Sequence, residues 1–268
     1  KNLPDNEATR RHTVLALPQI GLSKKWAIYH LSLGSDEKLR LKASKKLARL
    51  YEQDGDRENS FETYHHLIKN FGEAPIQERL EWYIEASSLL IWLNRFKEAD
   101  ELTTVIEKEI HSTQHKLKFD RFLTLIEKKG LALLHQEKFD KAKVYFEKGL
   151  VHAKRYPEFV VHQIRFENNL GEIEFFMGHE QNAINIFIKT RELAQNLNNS
   201  EAQFITNNDL GHVYLNLKEY DQSIPVLQND IRLFATERNR EPLARALYSF
   251  AEALRYKEIF PKAIKAYE

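Results

Sequence analysis

The residues whose type most invites chemistry are the eleven histidines. His111 and His115 stand four apart, so a helix would put both imidazoles on one face, and His65 and His66 are adjacent. A zinc site needs three or four converging ligands with hydrogen-bonding support behind them. No stretch supplies more than two, so surface or inter-helix histidines are expected and a metal is not. Cysteine is absent, which removes thiolate ligands and disulfides and fits a reducing compartment. There is no phosphate-cradling glycine loop, no GxSxG, no HExxH and no EF-hand loop. No catalytic residue, cofactor or metal is therefore expected, and the chain reads as one that binds rather than catalyses.

Binding chemistry is better represented. Lys38, Arg40, Lys42, Lys45, Lys46 and Arg49 form a basic amphipathic run. It suits phosphates or an acidic neighbour, but a solvated helix face explains it more simply. Asn198, Asn199 and Ser200 match a glycosylation sequon, which is empty without a secretory signal. Asn168 and Asn208 recur 40 residues apart. Asparagine is mildly unfavourable inside a helix, and its amide carries two donors and an acceptor suited to a peptide backbone. These amides either grip an extended peptide or bond across neighbouring helices, and the sequence leaves both open. Arg165, Arg245 and Arg255 suit a carboxylate. Phe175, Phe176, Trp92 and Tyr256 supply either apolar pockets or core.

Such residues need elements to hold them, and a repeat provides those. Leu170 and Gly171 align with Leu210 and Gly211 and with Lys129 and Gly130. Twelve residues after each glycine stands a small residue: Ala142, Ala183 or Ser223. Four further on stands a large apolar one: Phe146, Phe187 or Leu227. Ser87, Phe96 and Ala99 fit the same template, as do Ala251, Phe260, Ala263 and Tyr267, and Ala48, Ser60 and Tyr64. Gly55 and Gly178 fall in the turns. The anchors at 48, 87, 130, 171, 211 and 251 are spaced by 39, 43, 41, 40 and 40 residues. Apolar residues recur at three and four within each half, as in Leu210, Val213, Tyr214 and Leu217, so each half is helical.

The glycines inside helices cost about 1 kcal/mol each against alanine, which close helix approach must offset. Pro75, Pro157 and Pro242 fall at starts of first helices. Pro225 and Pro261 are expected in the first turn of second helices, where a missing N–H is tolerated, and none is expected mid-helix.

Composition agrees with a folded helical chain. Of 268 residues, 42 % are hydrophobic and 29 % charged, which excludes disorder. A net charge of +1 gives no bulk field toward nucleic acid or an anionic membrane. No apolar run reaches the roughly 18 residues of a membrane span. A cytoplasmic location is expected. The chain opens on Lys1 and closes on a helical pattern, which leads us to expect a piece of a longer protein, able to oligomerise through its final repeat.

The pattern of Leu170, Gly171, Gly178, Ala183 and Phe187, and of Leu210, Gly211, Tyr214, Tyr220, Ser223 and Leu227, resembles the tetratricopeptide repeat (TPR). Its usual length is about 34 residues. The present spacing of about 40 resembles the long variant of kinesin light chains, bacterial peptide-sensing regulators and the sensor regions of large signalling ATPases. The resemblance implies an all-α, right-handed superhelix of about six hairpins over 36–268. The repeats run roughly 36–72, 75–112, 114–155, 157–198, 200–237 and 242–268. Residues 1–35 form a helical lead-in, with helices over 8–17 and 24–33. Tyr29, His30, Gly34, Ser35 and Asp36 resemble the junction by which STAND-type ATPases enter their repeats.

The resemblance also places residues around each small anchor on a concave groove. These are Arg165, Asn168, Asn169 and Glu172; Asn208, Asp209 and His212; and Arg245, Tyr248, Glu252 and Arg255. Thr124, Glu127 and His135 face the groove in the third repeat, and Lys45 and Arg49 in the first. The implied function is protein or peptide binding by a scaffold or sensor region of a larger bacterial signalling or regulatory protein. Its partners would be an extended peptide and neighbouring domains of the same chain, with no membrane and no nucleic acid. The alternatives are a free-standing adaptor or co-chaperone, and the regulatory arm of a kinase or cyclase.

Overall fold

The computed structural model describes residues 37–113, 118–235 and 241–267. The expected lead-in over 1–35 and the pairing of His111 with His115 lie outside the described residues. The described chain is all-α. Its helices are α1 (Glu37–Gln53), α2 (Arg57–Asn70), α3 (Ile76–Trp92), α4 (Phe96–Thr113), α5 (Phe119–Leu134) and α6 (Phe139–Ala153), followed by a 3-10 turn at Pro157–Phe159. Then come α7 (Val160–Phe176), α8 (Glu180–Asn196), α9 (Ser200–Asn216), α10 (Tyr220–Phe234), α11 (Glu241–Tyr256) and α12 (Phe260–Tyr267). They fall into two compact units, one ending at Gln136 and the other beginning at Glu137.

The helices start and stop for local reasons. Asp56 caps α2 by accepting from the Asn59 amide at 3.3 Å, and Asn199 caps α9 by accepting from the Ala202 amide at 2.9 Å. Such caps satisfy amides that the first turn leaves without partners. Pro75 precedes the first residue of α3, and Pro157 opens the 3-10 turn. Pro225 differs from expectation. It is the sixth residue of α10 and lies inside the helix. The hydrogen-bond ladder already begins at the Ser223 amide, which donates to the Glu219 carbonyl at 3.1 Å. Proline at this point therefore removes one helical bond.

Each hairpin turn contains one residue with left-handed backbone. These are Gly55, Asn94, Glu137, Gly178, Lys218 and Glu258, with φ between 57° and 80°. Each stands seven residues after a small anchor, so the turns keep the repeat spacing. The bonds are those of a helix end that turns back on itself. After α7 the Gly178 amide donates to the Phe175 carbonyl and the His179 amide to the Glu174 carbonyl, at 2.9 and 2.8 Å. Lys218 and Glu219 repeat this after α9, and Glu258 and Ile259 after α11.

Within each unit the small anchors lie where the helices of a hairpin cross. Ala48, Ser60, Ser87, Ala99, Ala142, Ala183, Ser223 and Ala251 are all fully buried. A methyl group on Gly171 would meet the Phe187 ring at 2.9 Å, and one on Gly211 would meet Leu227 at 2.7 Å. The Ser60 hydroxyl donates to the Ala48 carbonyl and the Ser223 hydroxyl to the Gly211 carbonyl, at 3.1 and 2.9 Å. Serine at a second-helix anchor thus bonds the first helix as well as fitting the space. Gly149, which the repeat template does not include, serves the same purpose, since a methyl there would overlap the Phe166 ring at 2.3 Å.

In the first unit the core gathers Phe61, Tyr64, Leu67, Trp82, Ala86 and Leu90. In the second it passes from Ile164, Ala194 and Ala202 through Phe187, Leu210 and Tyr214 to Phe204, Phe234 and Ala246. Within each unit consecutive helices pack on one another. First helices also touch across a repeat: α3 meets α5, α7 meets α9, and α9 meets α11. This second kind of contact places the first helices of each unit side by side on one face of that unit.

Candidate functional site

The face shared by α7, α9 and α11 carries the residues expected to line a groove, and burial divides them into two groups. Asn168 is 1 % exposed and its Nδ2 donates to the Thr206 hydroxyl on α9 at 3.3 Å. Thr206 in turn donates to the Ala202 carbonyl at 3.0 Å. Asn208 is 6 % exposed. Both amides therefore sit between helices, and the Asn168 contact joins one repeat to the next. Asn169, Arg165, Glu172 and Asp209 are partly buried. His212, Arg245, Tyr248 and Arg255 are exposed, and Glu252 is partly so.

Electrostatics couples these residues across the three helices. Burial pushes the Asp209 carboxyl up to about 8, Glu172 adds to the rise, and the Asn208 hydrogen bond and the Arg245 charge oppose it. Burial alone raises Glu172. Desolvation of its ring against the neighbouring helices and then the Arg245 charge lower His212 and favour its neutral form, although the side chain keeps an exposed edge. Its Nε2 lies 3.2 Å from the Ser249 hydroxyl on α11. Arg245 lies over the Phe204 ring at 5.7 Å. Arg255 bonds both carboxylate oxygens of Glu252, at 3.1 and 2.8 Å, and covers the Tyr256 ring at 4.2 Å. These hydrogen bonds, to Glu252 first and then to Tyr256, hold its guanidinium well above the ordinary range.

The concavity itself lies between α9 and α11. A pocket of about 360 Å³ is lined by His212, Tyr220, Tyr248, Ser249, Glu252 and Tyr256, among others. Tyr220 and Tyr256 stack with ring centres 5.7 Å apart, and Tyr248 is 60 % exposed. Expected and unexpected residues meet here. His212, Tyr248 and Glu252 are among the groove residues expected from sequence, and Tyr256 among the expected pocket aromatics. Ser249 and the second-helix residue Tyr220 also line it and are not among the expected groove residues, since one is a small buried residue two before the Ala251 anchor and the other stands on a second helix. Asn168, Asn169, Glu172, Arg165 and Asn208 do not line this pocket. Phe176, by contrast, stacks on Phe139 at 5.9 Å, and Phe175 packs against the core. The pocket offers aromatic walls, an imidazole, a hydroxyl and a carboxylate, that is, apolar surface with a few polar groups able to orient a ligand. Among the described residues no group of three or more histidine, aspartate or glutamate side chains could hold a metal ion.

No family model matches the sequence, and no curated protein matches it. Solved structures do. A Rap protein complexed with Competence and Sporulation Factor shares 12 % identity at a TM-score of 0.66, over 99 % of this chain and 86 % of that one. NprR in complex with its cognate peptide NprX shares 13 % at 0.65, over 99 % and 78 %. A STAND protein with a tetratricopeptide repeat sensor from Pyrococcus horikoshii shares 15 % at 0.61, over 90 % of this chain and 36 % of that one. The fold is therefore that of TPR proteins in its long-repeat form, with helical hairpins and no strands among the described residues.

Proposed function

We propose that this chain is a peptide-binding TPR region of a bacterial signalling or regulatory protein, working in the cytoplasm without catalysis of its own. The single observation that carries the reading is the pocket between α9 and α11. His212, Tyr248, Ser249, Glu252 and Tyr256 converge there on one concavity. Its first helices supply polar groups at the surface while Asn168 and Asn208 are withdrawn into the stack. An extended peptide laid across these helices would place a side chain against the tyrosines and its amides near His212 and Glu252. The fold supports the same reading, since two of the similar structures are named as complexes with a factor or a cognate peptide.

The test is panning of a displayed random-heptapeptide library against the wild-type protein, followed by affinity measurement on a His212→Ala, Tyr248→Ala double variant. Both side chains are exposed, so the variant should keep its fold, which circular dichroism checks. Enriched peptides should bind the variant more weakly by about tenfold or more, equivalent to about 1.4 kcal/mol. Peptides that bind both proteins equally would place recognition elsewhere.

A further inference from the structure

A second concave feature lies wholly within the first unit and has a different character. A pocket of about 330 Å³ is lined from α1, α2, α3 and α5. The rings of Tyr64 and Trp82, 6 % and 3 % exposed, form its buried wall. Seven charged side chains complete the lining. Two of its three cations are already engaged by acids of α3. Lys45 Nζ lies 2.9 Å from Glu78 Oε2, and Arg121 Nε lies 3.0 Å from Glu81 Oε1. The third, Arg49, is exposed.

Two acids remain over: Glu52 on α1 and Glu85 on α3. Both line the pocket beside Tyr64, whose hydroxyl is raised first by burial and then by the charges of Glu52 and Glu85. Burial, Glu52 and Glu81 all disfavour the charged form of Glu85, and Arg121 and Lys128 only partly oppose this. The site is thus a concavity with a buried aromatic wall, flanked by ion pairs, with two carboxylates that form no direct ion pair among the described residues. A guanidinium offers forked donors to carboxylates and stacks on aromatic faces, and an ammonium brings the same charge with three donors. Either would relieve the repulsion between Glu52 and Glu85. Of the lining cations only Arg49 is left for an anion, and it stands exposed in a lining that carries four carboxylates.

We propose that this pocket of the first unit receives a basic side chain, guanidinium or ammonium, of a bound polypeptide. The site is separate from the tyrosine-lined pocket of the second unit, and its occupancy requires nothing of that pocket.

The test uses blocked alanine pentapeptides carrying arginine, lysine or glutamate at the centre, titrated calorimetrically into the full chain at neutral pH and low salt. The arginine and lysine peptides should bind, and the glutamate peptide should bind more weakly by on the order of tenfold or more. Glu85→Gln should weaken the arginine peptide several-fold, Glu52→Gln should do the same should Glu85→Gln fail to fold, and Arg49→Gln should tighten it. A glutamate peptide that binds as well as the arginine peptide would overturn the proposal. So would wild-type affinity in both glutamine variants, or no binding of any pentapeptide at millimolar concentration.

Discussion

Asn168 and Asn208 hold equivalent places in successive repeats, and both side chains point into the stack rather than away from it. Asn168 donates to Thr206. Replacing it with alanine should lower stability by about 1 kcal/mol, the ordinary worth of one buried hydrogen bond, as read from the urea midpoint. Asp230 is a sharper case. It is fully buried and accepts from Asn207 Nδ2 at 2.7 Å. Burial pushes its carboxyl up to about 8 and the Asn207 hydrogen bond only partly opposes this.

The sign follows from linkage. Between an unfolded value of about 4 and the folded value of about 8, the native state keeps a proton that the unfolded chain has lost. Stability is then full below about pH 4 and falls as pH rises toward 8, by at most about 1.4 kcal/mol per unit for each such group. Asp209 acts in the same direction. Asp230→Asn should flatten the profile between pH 5.5 and 8, measured by urea unfolding. A profile as steep as wild type would remove Asp230 as its source.

At the scale of the element, close helix approach and left-handed turns set the repeat. Gly211→Ala should destabilise by about 1–3 kcal/mol, because its methyl would meet the Leu227 side chain at 2.7 Å. The turns predict the opposite sign. Lys218 and Glu258 have φ of 61° and 62°, where an L side chain is strained. Changing either to glycine should stabilise by about 1 kcal/mol, and a lowered melting temperature would contradict this. The small anchors were legible from sequence because a glycine or serine within a helical pattern calls for a close neighbour. Four of the six left-handed turns were not, because asparagine, glutamate and lysine stand where Gly55 and Gly178 signal the turn elsewhere. Backbone bonds of the helix end impose that conformation whatever the side chain. Pro225 misled for a related reason, since the chain enters α10 earlier than the proline suggests and the packing of Val226 and Leu227 holds the helix despite the lost bond.

At the scale of the molecule, the helices of each unit pack against neighbours one or two positions along the chain. Stability in such stacks is close to a sum of local terms. Hydrogen exchange on Gly211→Ala should therefore show lost protection concentrated in α9, α10 and their immediate neighbours, with α1 to α4 unchanged. Uniform loss across the chain would argue for a single cooperative unit. No helix among the described residues is long and apolar enough to cross a membrane.

The helical hairpin, its 40-residue period and the places where helices meet closely are readable in the amino-acid order. All of these follow from local periodicity and side-chain size. Which polar residues reach the surface and which turn toward a neighbouring helix depends instead on how the helices pack. A rotation of about 40° around the axis of α9, the offset of four residues in a helix, separates the buried Asn208 from the exposed His212, and packing across three helices fixes that rotation. The charged pocket of the first unit is of the same kind. Lys45 and Arg49 were legible as inward positions, but the pairing of Lys45 and Arg121 with acids of α3, which leaves Glu52 and Glu85 over, exists only once distant helices are brought side by side.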